Sequence, residues 1–250
     1  MDWTQFGGII TGGSSGIGHV LCQTLTKLGA KIVVLDININ IQSPNTPIPA
    51  IQCDVSNRSQ FESSILQAKA ILHPVPLKFL INNAGIIDES SLATTLNVNL
   101  VGVVHGTELF LQHGDHSHED SCSVVINISS AGGIFPMPYA PYYAASKHAV
   151  LGYTRSIALN TQTRDKNVTV HCVCPGFTRT DIMAKGVGVM MKKEMEREVD
   201  VLGAVEPQEI VDVMVGLLTG SFSQHHKDKK GKVVFYSKIL GERIVRPSKL

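Results

Sequence analysis

Short apolar runs alternate with longer stretches of helical periodicity along the whole chain. Gly8-Ile9-Ile10-Thr11 reads as a buried strand. A Gly-rich turn follows, then a helix from about Ile17 to Leu28, with Gly29 as its stop. The unbroken run Lys31 to Asp36 predicts a strand covered on both faces, as in a parallel sheet. Ile51 to Cys53 predicts a third strand. Ser56 is placed to cap a helix covering Phe61, Ile65 and Leu66. Phe79 to Asn82 is the fourth strand, about Leu96 to Phe110 a helix, and Val124 to Ser129 the fifth strand. Tyr142 to Leu159 predicts a strong helix and Val168 to Val173 a sixth strand. A helix opens at Glu206-Pro207 and runs through Leu218, and Lys232 to Tyr236 closes the series as a seventh strand.

This alternation predicts an α/β fold: one Rossmann-like, doubly wound parallel sheet of about seven strands with helices on both faces. No internal repeat or linker interrupts it, so residues 1–250 are expected to form a single domain. Pro44, Pro47 and Pro49 fall between the second and third strands, where a connecting helix is therefore expected to be missing or very short.

Composition narrows the function. The chain has 250 residues, 43% of them hydrophobic, enough for a sizeable core. Its 22 basic and 21 acidic residues nearly cancel, which argues against a broad nucleic-acid surface. Five scattered cysteines without a CxxC suit a reducing compartment better than a disulfide framework. The N-terminus shows no secretory signal, and no apolar run is long enough to span a membrane. The last three residues, Ser248-Lys249-Leu250, form the tripeptide that peroxisomal import receptors read, so a peroxisomal address is expected, and a cytoplasmic one otherwise.

Three patterns carry chemistry. Thr11 to Gly18 follows a strand and opens a helix, with Gly12, Gly16 and Gly18 letting the backbone approach a pyrophosphate at the helix N-terminus. The spacing is GxxxGxG, not the common GxGxxG, and a mere tight turn would look the same. Asp36 ends the second strand about 20 residues later, where its carboxylate can accept both ribose hydroxyls of NAD and repel the extra phosphate of NADP. Neither Ser15 nor Ile37 supplies a cation for that phosphate; an ordinary strand-end turn is the alternative. Tyr143 and Lys147 lie at i and i+4 on one helix face. An ammonium beside a phenol favours the phenolate, which could take the proton of an alcohol as hydride leaves its carbon. Tyr139 and Tyr142 are rivals by type but lack the spacing; a solvated helix pair would also give it.

With these motifs, the chain resembles a short-chain dehydrogenase/reductase from Thr11 to about Tyr236. Further support comes from Cys53-Asp54-Val55, Asn82-Asn83-Ala84-Gly85, Asn97 to Leu100, Asn127 to Ser130 and Pro175 to Thr180. The resemblance implies a catalytic set of Asn99, Ser130, Tyr143 and Lys147. Ser130 would bond the substrate oxygen, Ser129 pointing to the opposite strand face. Lys147 would bind the nicotinamide ribose and tune Tyr143, and Asn99 would hold a relay water. It implies NAD as cofactor, against Gly12, Ser14, Ser15, Gly16, Ile17, Gly18 and Asp36 of the turn and second strand. Asp54 and Val55 would contact adenine, and Asn82, Ala84 and Gly85 would line the cleft. Pro175, Gly176, Thr178 and Thr180 would hold the carboxamide end. It also implies a homodimer or homotetramer built on the helices around 96–110 and 143–159. No metal is expected.

The stretches past the strand ends, 134–142 and 181–205, should shape the substrate site. Met183, Met190, Met191 and Met195 read either as a lid over a lipophilic substrate or as plain helix packing. Lys192, Lys193 and Arg197 could face a carboxylate or CoA phosphate, or only solvent. His113 to Asp120 contains possible metal ligands but reads as a solvated loop away from the site, and His171, Cys172 and Cys174 read as core. The sequence around Ala144 to Ser156 and Cys174 to Phe177 most resembles the hydroxyprostaglandin dehydrogenase branch, whose members oxidise secondary alcohols on fatty-acid chains. The expected activity is NAD-linked interconversion of a secondary alcohol and a ketone on a lipophilic small molecule. A peroxisomal hydroxyacyl-CoA dehydrogenase or carbonyl reductase is a second reading, and a non-catalytic cofactor-binding partner subunit a third. Turnover of a panel of alcohols with NAD would separate them.

Overall fold

The computed structural model describes residues 2–39, 47–116, 122–179, 193, 199, 203–221 and 232–237, and 241–244 as backbone. The expected lid around 181–205 falls mostly outside them, and Thr180 and the Ser248–Leu250 tail entirely so.

The strands are β1 (Gly7–Thr11), β2 (Lys31–Asp36), β3 (Ala50–Gln52), β4 (Leu77–Asn82), β5 (Ser123–Ile128), β6 (Val168–Pro175), β7 (Val233–Ser237) and β8 (Gly241–Ile244). They form one sheet in the order β3-β2-β1-β4-β5-β6-β7-β8. β1 to β7 are parallel; β8 runs antiparallel on β7 as an edge strand that the sequence pattern did not announce. The helices are α1 (Gly16–Lys27), α2 (Arg58–Leu72), α3 (Leu92–Leu96), α4 (Gly102–His113), α5 (Pro141–Ile157), α6 (Thr161–Asp165) and α7 (Pro207–Thr219). Of the segment between β2 and β3, residues 40–46, with Pro44, lie outside the described residues, and the described residues 37–39 and 47–49 form no helix.

Successive residues in the strands enter opposite cores. Ile10, Val34, Ile81 and Ile126 pack with Leu21 and Leu25 of α1 and Met214 and Leu217 of α7. Ile9, Val33, Leu80 and Val125 pack with Phe61 and Ile65 of α2 and Leu109 and Phe110 of α4. Period-two alternation under two helical layers is why these runs are apolar throughout.

Two helix starts differ from expectation. Asn57, not Ser56, caps α2 by accepting from Gln60 N–H at 3.1 Å. Ser56 is committed elsewhere: its N–H and hydroxyl both donate to Asp54 Oδ1, at 2.9 and 2.7 Å. The helix expected from Leu96 instead begins at Leu92, with Ser91 as cap, and Asn97–Val101 forms a π turn before α4. Such turns widen a helix locally, often at functional sites, and this one carries Asn99.

The strand order reverses between β1 and β4, so the turns after these strands diverge and open a crevice at the carboxyl edge of the sheet. Among the described residues no helix is long and apolar enough to cross a membrane.

Candidate active site

The glycine turn sits in this crevice. Gly12 has φ +66°, and a Cβ there would lie 2.8 Å from the Ala84 Cα; a Cβ at Gly18 would lie 2.3 Å from the Gly12 carbonyl oxygen. Only bare backbone fits, and it leaves the open end of α1 beside the crevice. Ser15 is the N-cap of α1, without a capping bond from its side chain. The half-buried Ile17 packs on the core. Asp36 reaches the turn from β2: Ser14 N–H and Oγ–H donate to its Oδ2 at 3.0 and 2.6 Å, and Asn38 N–H donates to Oδ1 at 2.9 Å. A carboxylate therefore stands at the rim of the glycine cradle. The cradle fits a dinucleotide's pyrophosphate, and Asp36 fits its ribose hydroxyls.

At the end of β4, two adjacent asparagines divide the work differently from expectation. Asn82 points into the core, not the cleft, and donates to Asn127 Oδ1 at 2.8 Å and Thr107 Oγ1 at 3.2 Å. The next residue on a strand faces the other way. Asn83 accordingly reaches the glycine turn and donates to the carbonyls of Thr11 and Gly12 at 3.0 and 2.9 Å. Thr11 Oγ1 in turn accepts from the N–H of Asn83 and of Ala84, both at 3.0 Å. Asp54 holds the Ser56 turn, and Val55 is buried beneath α4 against Gly102.

Ser130, Tyr143, Lys147 and Asn99 converge. Tyr143 on α5 is 8% exposed, with the Ser130 side chain close enough to its phenol to pull the pKa down. Tyr142 is 37% exposed, and Tyr139 packs at the mouth with Ile87 and Met137. Ser129 faces away, donating to the Lys147 carbonyl at 2.8 Å. Lys147 is 3% exposed; its Nζ donates to the Ile128 carbonyl at 2.9 Å and lies 5.7 Å from the Tyr143 ring centroid. Asn99, wholly buried, clamps Ile86: Oδ1 accepts from its N–H at 2.8 Å and Nδ2 donates to its carbonyl at 2.9 Å. Nδ2 also donates to Ser146 Oγ at 3.0 Å. A Cβ at Gly85 would lie 3.3 Å from Asn99 Oδ1 and 3.4 Å from Lys147 Nζ, so Gly85 keeps this corner open.

The electrostatics correct one expectation. Burial pushes the Lys147 pKa down to about 8, and pushes the Tyr143 phenol above its ordinary value of 10.0 despite the Ser130 bond that pulls it down. The Lys147 Nζ lies over the ring, and desolvation, with the nearby Cys174, outweighs the pull of Ser130 on the phenol.

The short chain dehydrogenase pattern matches residues 8–188. The chain belongs to that family. It is 30% identical over 227 residues to human 15-hydroxyprostaglandin dehydrogenase [NAD(+)], covering 84% of this chain and 85% of that one. It is 30% identical over 183 residues, 70% of each chain, to alcohol dehydrogenase 2 of Ceratitis capitata. Levodione reductase shares the fold, with a TM-score of 0.77 at 23% identity over 94% of this chain and 97% of that one.

At the β6 end of this short chain dehydrogenase, Gly176 N–H donates to the Tyr236 carbonyl at 2.7 Å and Thr178 Oγ1 to the Gly176 carbonyl at 3.0 Å. Pro175 thus ends β6 still paired with Tyr236 of β7, at the carboxyl edge of the sheet. Cys172 and Cys174 are buried, with sulfurs 3.9 Å apart, and His171 is buried with its Nδ1 accepting from Lys232 N–H, so all three are core as expected. The described part of the His-rich loop is anchored, not merely solvated. His113 pairs with Glu62 at 2.8 Å, Asp115 binds Lys69 and Leu77 N–H at 2.8 Å each, and His116 stacks edge-on with Phe110. No group of three metal-ligating side chains occurs among the described residues.

Proposed function

We propose that this chain is an NAD-dependent oxidoreductase that interconverts a secondary alcohol and a ketone on a lipophilic small molecule. The observation that carries the reading is the convergence of the Ser130 side chain, the Tyr143 phenol and the Lys147 ammonium, which lies 5.7 Å from the Tyr143 ring centroid, at the open corner left by Gly85. A half-buried Ser beside a buried Tyr–Lys pair, next to a dinucleotide cradle, has proton donors and acceptors where a hydride would move.

Asp36, the glycine turn and Lys147 would hold the cofactor, with Pro175 to Thr178 at its carboxamide end. NAD, when bound, supplies the acceptor for the hydride. The remaining work falls to this chain's own side chains. Ser130 Oγ would bond the substrate oxygen and stabilise its developing charge. Tyr143 would take the hydroxyl proton at its phenolic oxygen, or give it back to a ketone in reverse. Lys147, with a pKa of about 8, would exchange a proton near neutrality and favour the phenolate once its ammonium lies nearer the hydroxyl. Ile87, Met137 and Tyr139 form an apolar wall against Tyr143 that suits a lipophilic alcohol.

The relatives support the same reading: one is an NAD(+)-dependent dehydrogenase of a hydroxylated prostaglandin by name, another an alcohol dehydrogenase. The test is turnover with NAD of short-chain, long-chain and ω-carboxylated secondary alcohols, beside 3-hydroxyacyl-CoA. Turnover of the lipophilic alcohols supports the proposal. Turnover of the CoA ester alone moves it to the hydroxyacyl-CoA class, and none with any substrate favours a cofactor-binding subunit.

A further inference from the structure

We propose that Glu89 is a positioning residue for Tyr143, an inference that rests on the reading of Tyr143 as the proton carrier. The start of α5 lacks a cap of its own. Ala140 occupies the N-cap position without a side chain that can accept, and Pro141 follows it. The exposed N–H groups of the first turn need partners. Glu89 supplies them from a different part of the chain. Its Oε2 accepts from Tyr142 N–H at 2.9 Å and its Oε1 from Tyr143 N–H at 2.8 Å. One carboxylate thus grips the backbone of the proposed base itself, at the helix end where a negative charge is favoured.

The other end of this grip is fixed too. Glu89 belongs to the loop after β4, which is fastened at three further points. Asn99 holds Ile86 by both its backbone groups. Thr95 Oγ1 donates to the Asp88 carbonyl at 2.6 Å. Asp88 Oδ1 accepts from Ser90 N–H and hydroxyl, at 2.9 and 2.5 Å. Between these points Ile87 packs on Ala140 and Tyr143. Glu89 therefore ties α5 to the same loop that Asn99 holds, so Asn99 and Tyr143 share one frame. Without the carboxylate, the first turn of α5 is free to fray, and Tyr143 lies within it. A shift of about 1 Å at a reacting group can cost about a hundredfold in rate.

The experiment compares Glu89→Gln, Glu89→Ala and Tyr143→Phe in the full chain, with NAD and the best alcohol of the panel. Measured are kcat, KM for the alcohol, Kd for NAD and the melting temperature, with kinetics taken well below melting. Glu89→Ala is expected to lose about 10- to 100-fold in kcat, with Kd for NAD within about twofold of the original. Glu89→Gln keeps one accepting oxygen and should fall between. If Glu89→Ala does not fold, Glu89→Gln carries the test: a loss of threefold or more supports the proposal. Unchanged kcat in every Glu89 variant that folds, whatever its melting temperature, overturns it and leaves Glu89 a structural cap. The two ideas separate through the third variant. If Tyr143→Phe abolishes turnover while Glu89 variants keep it, only the positioning role fails; if Tyr143→Phe keeps its kcat, the base assignment itself fails.

Discussion

Lys147 should make the ligand-free protein more stable as pH rises from about 8 to 10.5. Its Nζ is buried against the Ile128 carbonyl, and burial lowers its pKa from 10.5 to about 8. Between these values the unfolded chain keeps the proton and the native protein has shed it. The native state then binds fewer protons, so raising the pH favours it. At about 1.4 kcal/mol per pH unit, the whole window is worth about 3 kcal/mol. Below pH 8 both states are protonated and the penalty for the buried charge is present in full. Lys147→Met keeps an unbranched chain in the same space and removes the titration, at the cost of the Ile128 bond, about 1 kcal/mol. Urea unfolding of both proteins at half-unit steps from pH 7 to 10.5 reads the difference, with titrating groups remote from Lys147 cancelling between them. The stability of the original protein relative to Lys147→Met should climb by about 3 kcal/mol over the window. Parallel curves would refute the reasoning, since Lys147 would then titrate at the same pH folded and unfolded.

Other expectations follow from the same geometry. NAD should be strongly preferred over NADP, because Asp36 stands at the rim of the glycine cradle; Asp36→Ala should narrow the ratio of kcat/KM values, and equal values in the unmutated protein would sink the assignment. Asn83→Ala removes two bonds to the glycine turn, about 1 kcal/mol each, and should raise Kd for NAD in titration, whereas Asn82→Ala should lower the melting temperature with less effect on Kd. The chain should form a dimer or tetramer, which light scattering at micromolar concentration checks. Deleting Ser248–Leu250 from an N-terminally fluorescent chain should move it from peroxisomes to cytosol with activity kept; cytosolic signal from the intact chain would reject the address.

Much of the fold was legible because a doubly covered sheet writes itself as unbroken apolar runs. Ile9 and Ile10, or Leu80 and Ile81, serve opposite cores, so both faces favour apolar residues and a polar one such as Asn82 or Asn127 is paired. What the sequence left open depends on which of two neighbours wins a contact. Ser56 and Asn57 are both good caps, and the Asp54 turn decides between them. Asn82 and Asn83 are identical side chains on opposite faces, and only the placement of β1 beside β4 tells which meets the cofactor cradle. The π turn around Asn99 leaves the apolar spacing intact, so the periodicity reads through it. β8 has too few residues for a period to show. Glu89 had no local signal at all, because its partners are brought to it by the fold.

In the proposed reaction Tyr143 carries the proton of the substrate alcohol. Tyr143→Phe tests it most directly, because the ring keeps its packing against Ile87 and Ala140 and only the hydroxyl that meets Ser130 is lost. Steady-state oxidation of the best alcohol is measured beside NAD binding by the same protein. kcat should fall by at least a hundredfold, as loss of a general acid–base group gives, with Kd for NAD essentially unchanged. A variant that keeps kcat within about tenfold of the original would contradict it.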